Sequence, residues 1–364
     1  MNESSKGTAQ TRAAGGTALA IESQGTTGLE IRLASIPVKR PPASYEEFLR
    51  EFLPLFDQRL AASETALYER PLTAAIFIVD HIIVAVDGHP IDDKYFSKPW
   101  FGGIFQPIYK WYERRYGMAI TKRPHTSLHG VISHFGTPYL IKVPLSRTEP
   151  DTDGTAWVRF PCEILPKEDP LEWLETPPPL DQLSSKRTQL LRAAIGKVAT
   201  CLRTINHDLN TAEHLDQKRA AMARSIVRHF DKAATDSVAG DRESTCLAAC
   251  ELQMACEKTL KAYLAQRRVL YPLTHSLRKL HKLAMDGTDW SEATKAITAL
   301  PSTRRVMAWR YAETPPPKPR ELERIYASSL QLCRTYAARM SRKLVLKNFA
   351  AQIRRPPWHP SVCQ

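Results

Sequence analysis

The residues able to do chemistry gather in the C-terminal half of the chain. One stretch reads Ala255-Cys-Glu257-Lys258-Thr-Leu260-Lys261-Ala262-Tyr263-Leu264, then Arg267-Arg268, then Tyr271-Pro272-Leu-Thr274-His275-Ser-Leu277-Arg-Lys-Leu280. Further on comes Trp309-Arg310-Tyr311-Ala-Glu313, just ahead of Pro315-Pro316-Pro317. Glu257 and Lys261 are four apart in the favourable order, which reads as an exposed helix ion pair worth about 0.2–0.5 kcal/mol. Thr274 stands where the next helix wants an N-cap. Other reactive residues form no such text. His125, His129 and His134 lie close together, but no cysteine or paired carboxylate completes a zinc spacing, so no metal site is expected. Cys246 and Cys250 read as small core residues of a helix. Asp80, Asp87, Asp92 and Asp93 lack the Gly-Ser lead of a nucleotidyltransferase acid cluster. There is no Walker loop, dinucleotide fingerprint, Gly-x-Ser-x-Gly elbow or His-Glu-x-x-His, and no cofactor is expected.

The elements that must position these residues can be read from period and punctuation. Residues 1–28 are polar and aperiodic, a disordered tail. Ser44 caps a helix over about 45–62, carried by Phe48, Leu49, Phe52, Leu53 and Phe56. The runs Ala74–Asp80 and Ile82–Gly88 read as buried strands with a turn at Asp87-Gly88. Aromatic residues from Trp100 to Tyr116 recur at helical spacing and form core, with Pro107 in a first turn or at a kink. Strand signals follow at Leu128–Ser133, Pro138–Val143 and Thr155–Ile164. This makes residues 29–165 an α+β domain of unknown role. Residues 166–184, with Pro166, Pro170 and Pro177-Pro178-Pro179, read as a proline-rich linker.

Beyond the linker, residues 185–345 read as an all-α helical bundle. Helices are expected over about 184–209, 211–237, 243–267, 276–286 and 291–300, with a last one from near Arg320 past position 340. Residues 346–364 are a basic tail. Charge is divided unevenly between the halves. Residues 1–185 hold 19 Lys and Arg against 23 Asp and Glu, a net of −4; residues 186–364 hold 32 against 15, a net of +17. A basic half of this kind suits a polyanion partner such as RNA, or equally a solvated helical surface. No stretch approaches 18 uninterrupted apolar residues, so no membrane partner is expected. Seven scattered cysteines point to a reducing, cytoplasmic location.

The text from Ala255 to Glu313 resembles the HEPN family. That family's pattern is a Glu-Lys-x-x-Lys-Ala helix, a Thr-His-x-Leu turn into the next helix, and an Arg-Tyr before a closing helix. The resemblance spans roughly residues 215–340. It implies a helical bundle that pairs as a homodimer and, in many members, a metal-independent ribonuclease acting as a toxin or phage-defence effector. The family's catalytic motif is an arginine followed by a histidine after four to six residues, and the match here is Arg268 and His275 with a gap of six. Cleaving RNA through its own 2′-OH needs a near-neutral proton carrier, which histidine supplies. It also needs a permanent cation over the phosphate, which arginine supplies. Lys261, Arg267, Arg310 and Tyr311 are the candidate binding residues. Two alternatives stay open: His275 caps a helix or bonds a neighbouring loop, and Arg310 ion-pairs with Glu313. The rival function is a non-catalytic dimerisation, nucleotide-sensing or protein-interaction module.

Overall fold

The structure, a computed structural model, describes residues 44–121, 127–151, 154–285, 287, 289–344 and 348–354. The expected tail 1–28, His125, and residues 346, 347 and 355–364 of the expected basic tail lie outside these. The chain divides into two compact units, Met1–Thr121 and Lys122–Gln364.

The first unit is built from α1 (Tyr45–Ala62), α2 (Arg70–His81) and α3 (Pro99–Tyr116). A short antiparallel hairpin joins α2 to α3, made of β1 (Ala85–Val86) and β2 (His89–Pro90). Ser44 caps α1 by accepting from the Glu47 amide at 3.1 Å. The run Ala74–Asp80, expected as a strand, lies inside α2. Its buried residues Pro71, Ala74, Ala75 and Ile78 fall at i, i+3, i+4 and i+7, a helical face that so short an apolar run conceals. Ile82 to Val84 form no strand either, and Val84 is almost fully exposed. The Asp87-Gly88 turn is present; both residues have positive φ, 49° and 78°, as a two-residue hairpin requires. Pro107 sits in the middle of α3 rather than in its first turn. Phe101, Ile108 and Tyr112 are fully buried, so the aromatic stripe is core.

The second unit mixes sheet and helix. β3 (Ser127–His134) and β4 (Thr137–Pro144) form a hairpin. β5 (Arg147–Pro150), β6 (Thr155–Phe160) and β7 (Phe349–Arg354) form a second antiparallel sheet. The helices are α4 (Ser185–Thr211), α5 (Gln217–Ala239), α6 (Arg242–Gln266), α7 (Leu277–Ala284), α8 (Ser291–Ala299), α9 (Thr303–Arg310) and α10 (Pro319–Ala338). The final helix stops at Ala338, short of the expected 340. Neither α9, which buries only Val306 and Trp309, nor β7, inside the expected tail, is announced by the sequence pattern.

The hairpin β3–β4 does not belong with the first unit. Leu128, Ile132, Ile141 and Val143 share one core with Leu191, Ile195, Leu202 and Phe230 of the helices. Gly130 lets the strand lie on α4: a Cβ there would stand 2.9 Å from Val198 Cγ1 and 3.0 Å from Leu202 Cδ1. Asp231 on α5 accepts from the His129 amide at 2.6 Å. The segment 166–184 departs from a linker in the same way. Leu171, Trp173 and Leu174 are buried in that core, and Arg203 of α4 holds Glu168 in a buried bidentate pair. The division therefore falls between Thr121 and Lys122, not at the prolines, because proline reports an interrupted helix and says nothing about packing.

α6 runs through the centre of the helical part and is buried on most of its sides, as a core helix is. One buried histidine, His281, is fully engaged: Nδ1 lies 2.6 Å from the Tyr336 hydroxyl and Nε2 3.0 Å from Thr294 Oγ1. Burial lowers its pKa below the ordinary 6.5, so the folded chain holds it neutral while the unfolded chain protonates it. Its stabilising contribution is present above pH 6.5 and is lost as pH falls through the lowered folded-state value. Stability measured from pH 7.5 down to 5 is expected to decline, and His281→Gln to make that decline shallower by up to one proton taken up on unfolding. An unchanged slope would count against this role. Among the described residues no helix is long and apolar enough to cross a membrane.

Candidate functional site

The face of α6 that carries Cys250, Gln253, Glu257 and Lys261 has the spacing i, i+3, i+7, i+11, one side of a helix. α9 and the loop between α6 and α7 pack along it. Cys250 Sγ donates to the Val306 carbonyl at 3.7 Å, and Gln253 Nε2 reaches Thr303 Oγ1 at 3.5 Å. The His275 carbonyl accepts from both Gln253 Nε2, at 3.0 Å, and Thr303 Oγ1, at 2.9 Å. Two elements thus fix the backbone of His275 from opposite sides.

Glu257 sits at the centre. Its side chain is only 4% exposed, and Lys261 Nζ lies 2.7 Å from Oε1. His275 Nδ1 lies 3.0 Å from Oε2 and 3.1 Å from Oε1, while the histidine side chain itself is 68% exposed. The surface ion pair expected of Glu257 and Lys261 is therefore a buried carboxylate that grips a half-buried lysine and an open imidazole. A carboxylate so placed accepts from Nδ1–H, fixes the ring and favours the tautomer with a free Nε2. Sequence reasoning missed Glu257.

The other expected residues divide. Lys261 and His275 are brought together through Glu257. Arg268 closes α6 in a left-handed conformation, φ 57°, with its amide bonded to the Ala265 carbonyl at 3.0 Å. Its guanidinium is exposed and, among the described residues, makes no hydrogen bond or ion pair, so Arg268 and His275 are not joined within one protomer. Arg267 lies over the Tyr263 ring, 5.6 Å from its centroid, and donates to the Tyr263 hydroxyl at 2.9 Å. Arg310 and Tyr311 are exposed at the end of α9, and the ion pair expected between Arg310 and Glu313 is absent among the described residues. Burial pushes the Cys250 thiol up to about 11, and the Arg310 charge opposes that rise, so Arg310 belongs to the same side of α6. Thr274 does not cap α7. Ser276 does, accepting from the Lys279 amide, while Thr274 Oγ1 accepts from the Ser276 amide at 3.2 Å. Among the described residues no cluster of three His, Cys, Asp or Glu could hold a metal ion.

A second histidine–carboxylate pair joins α5 to α6, with His229 Nδ1 at 2.5 Å from Glu251 Oε2. That contact holds the Glu251 carboxyl below its usual range. Both partners are largely covered, at 18% and 20% exposure, which leaves no open ring edge for a substrate.

Residues 228–336, from α5 to α10, match the family model of the HEPN domain, and the chain carries a HEPN domain in its C-terminal part. No curated protein and no solved structure matches the chain.

Proposed function

We propose that the chain binds RNA and is a metal-independent endoribonuclease that works as a homodimer through Arg268 and His275. The observation that carries this reading is the His275 ring, 68% exposed and anchored at Nδ1 by a buried carboxylate. Nε2 would take the proton from a ribose 2′-OH as the 2′-oxygen attacks the adjacent phosphorus. The bond to the 5′-oxygen then breaks, leaving a 2′,3′-cyclic phosphate, and the leaving oxygen needs a proton. One histidine cannot stand on both sides of the phosphorus at once, so the acid is the same residue of a second copy. Arg268 offers a permanent, unpaired cation for the charge on the phosphate. Lys261 lies on the Glu257 face of α6, and the exposed Arg267, Arg310 and Tyr311 would join it in holding the flanking strand. The loop between Arg268 and His275 supports pairing, because Leu270 and Leu273 are 94% and 104% exposed. Six described cysteines are free thiols, which fits a cytoplasmic location, and family analogy suggests a toxin or phage-defence effector.

The same two leucines favour a second reading, a non-catalytic dimerisation or protein-interaction module. The test is incubation of the purified full chain with labelled single-stranded RNA in EDTA, alongside sedimentation of the protein alone. Cleavage to cyclic-phosphate ends by a dimer is expected, with affinity falling steeply as salt rises. An inert dimer whose RNA binding ignores salt would leave the second reading standing.

A further inference from the structure

The loop from Leu270 to His275 is held by few contacts. Of its backbone groups, only the His275 carbonyl is hydrogen-bonded among the described residues. That oxygen has two lone pairs and both are taken, one by Gln253 Nε2 at 3.0 Å and the other by Thr303 Oγ1 at 2.9 Å. The Gln253 amide also donates to the Thr303 hydroxyl at 3.5 Å, so the three groups close a ring. Gln253 is buried one turn before Glu257 on α6. Thr303 is the first residue of α9, and α9 is itself fixed elsewhere. Val306 and Trp309 are buried, Trp309 Nε1 donates to the Pro315 carbonyl at 2.9 Å, and Arg305 pairs with Glu321 of α10 at 3.0 Å. His275 is thus tied at its carbonyl by α6 and α9 and at Nδ1 by Glu257, which leaves Nε2 as the free ring nitrogen among the described contacts. The motif that singles out His275 lies between α6 and α7 and carries no mark of Thr303.

We propose that Thr303 is a positioning residue for His275, with Gln253 as its companion, and that α9 thereby sets the direction in which Nε2 faces; its catalytic consequence rests on the nuclease reading above. Without the Thr303 hydroxyl the His275 backbone hangs on Gln253 alone, and the ring spends part of its time away from Glu257. Thr303→Val keeps the side chain's shape, removes the donor and leaves the Ser302 cap of α9 intact, so the melting temperature stays near wild type. Its kcat on single-stranded RNA is expected to fall about tenfold or more, with KM within about twofold, and Thr303→Ser to return the rate. Nitrogen-15 NMR of the full chain at about pH 8.5, where histidine is neutral, reads the ring without RNA. The His275 signals are assigned by their loss in His275→Ala. Wild type and Thr303→Ser are expected to hold Nδ1–H in excess, and Thr303→Val to lose much of that excess. Gln253→Leu removes the other donor and moves both readouts the same way. A valine variant with the wild-type tautomer ratio, or one whose ratio shifts while kcat does not, would overturn the proposal. An inert wild type would remove the nuclease reading instead, and the tautomer ratio alone then decides whether Thr303 orients the ring.

Discussion

Replacing His275 by alanine is expected to lower RNA cleavage by about two to four orders of magnitude, the span a positioned proton carrier contributes. The fold survives this change, because the ring is 68% exposed and Glu257 keeps Lys261 as its partner. Melting temperature and RNA affinity stay near wild type while kcat collapses, and added imidazole restores part of the rate. Rescue of that kind separates a proton carrier from a structural residue. Glu257→Gln is the sharper companion. The amide keeps the shape but accepts weakly and loses the charge that steadies an imidazolium, so kcat falls about tenfold or more with KM little changed. A His275→Ala protein that cleaves at the wild-type rate would remove the nuclease assignment altogether.

The largest stability effect is expected at Arg203. Its guanidinium meets Glu168 at 2.7 and 2.9 Å, donates to the carbonyls of Pro144 and Glu163 at 3.0 Å each, and lies 5.0 Å from the Trp173 ring centre. Both charged side chains are almost wholly buried, at 1% and 2% exposure. Burial pushes the Glu168 carboxyl up, but the Arg203 hydrogen bonds outweigh it and the net shift is downward. Its stabilisation is thus present above the ordinary carboxylate range and is lost as acid approaches the lowered value. Arg203→Ala leaves that carboxylate buried and uncompensated, at a cost of about 3–5 kcal/mol, or a melting point lower by roughly 6–20 °C. Arg203→Met with Glu168→Leu is expected to recover most of this, because removing both charges removes the desolvation cost. If the single and double variants melt together, the pair is not what ties residues 163–174 to α4.

How much of this was legible beforehand depended on length and burial. α4, α5 and α6 are long, and their apolar residues repeat near 3.6, so the bounds of α4 and α6 fall within two residues of expectation, while α5 starts at Gln217 rather than near 211. α2 reads as a strand because six adjacent apolar residues show no period, and only its packing against Phe56 declares which face is inward. α9 carries too few apolar residues to display a period, and β7 becomes a strand only because β6 is there to pair with it. The unit boundary failed for a related reason: contacts between Trp173 or Ile141 and α4 leave no local mark in the text. At the site, Arg268, His275, Lys261 and Arg310 could be picked out by type and spacing. Glu257 could not, since the pairing rule that flagged it assumes a solvated helix and burial reverses its meaning.

The pairing of Thr155 with Arg354 joins stretches of chain made far apart in time. As the polypeptide emerges from the ribosome, β6 must wait with one edge bare until nearly two hundred further residues have been threaded. A product cut short in that interval would keep a naked, strand-ready border, the sort of template on which neighbouring chains stack. Synthesis of β7 then acts as this sheet's own safeguard.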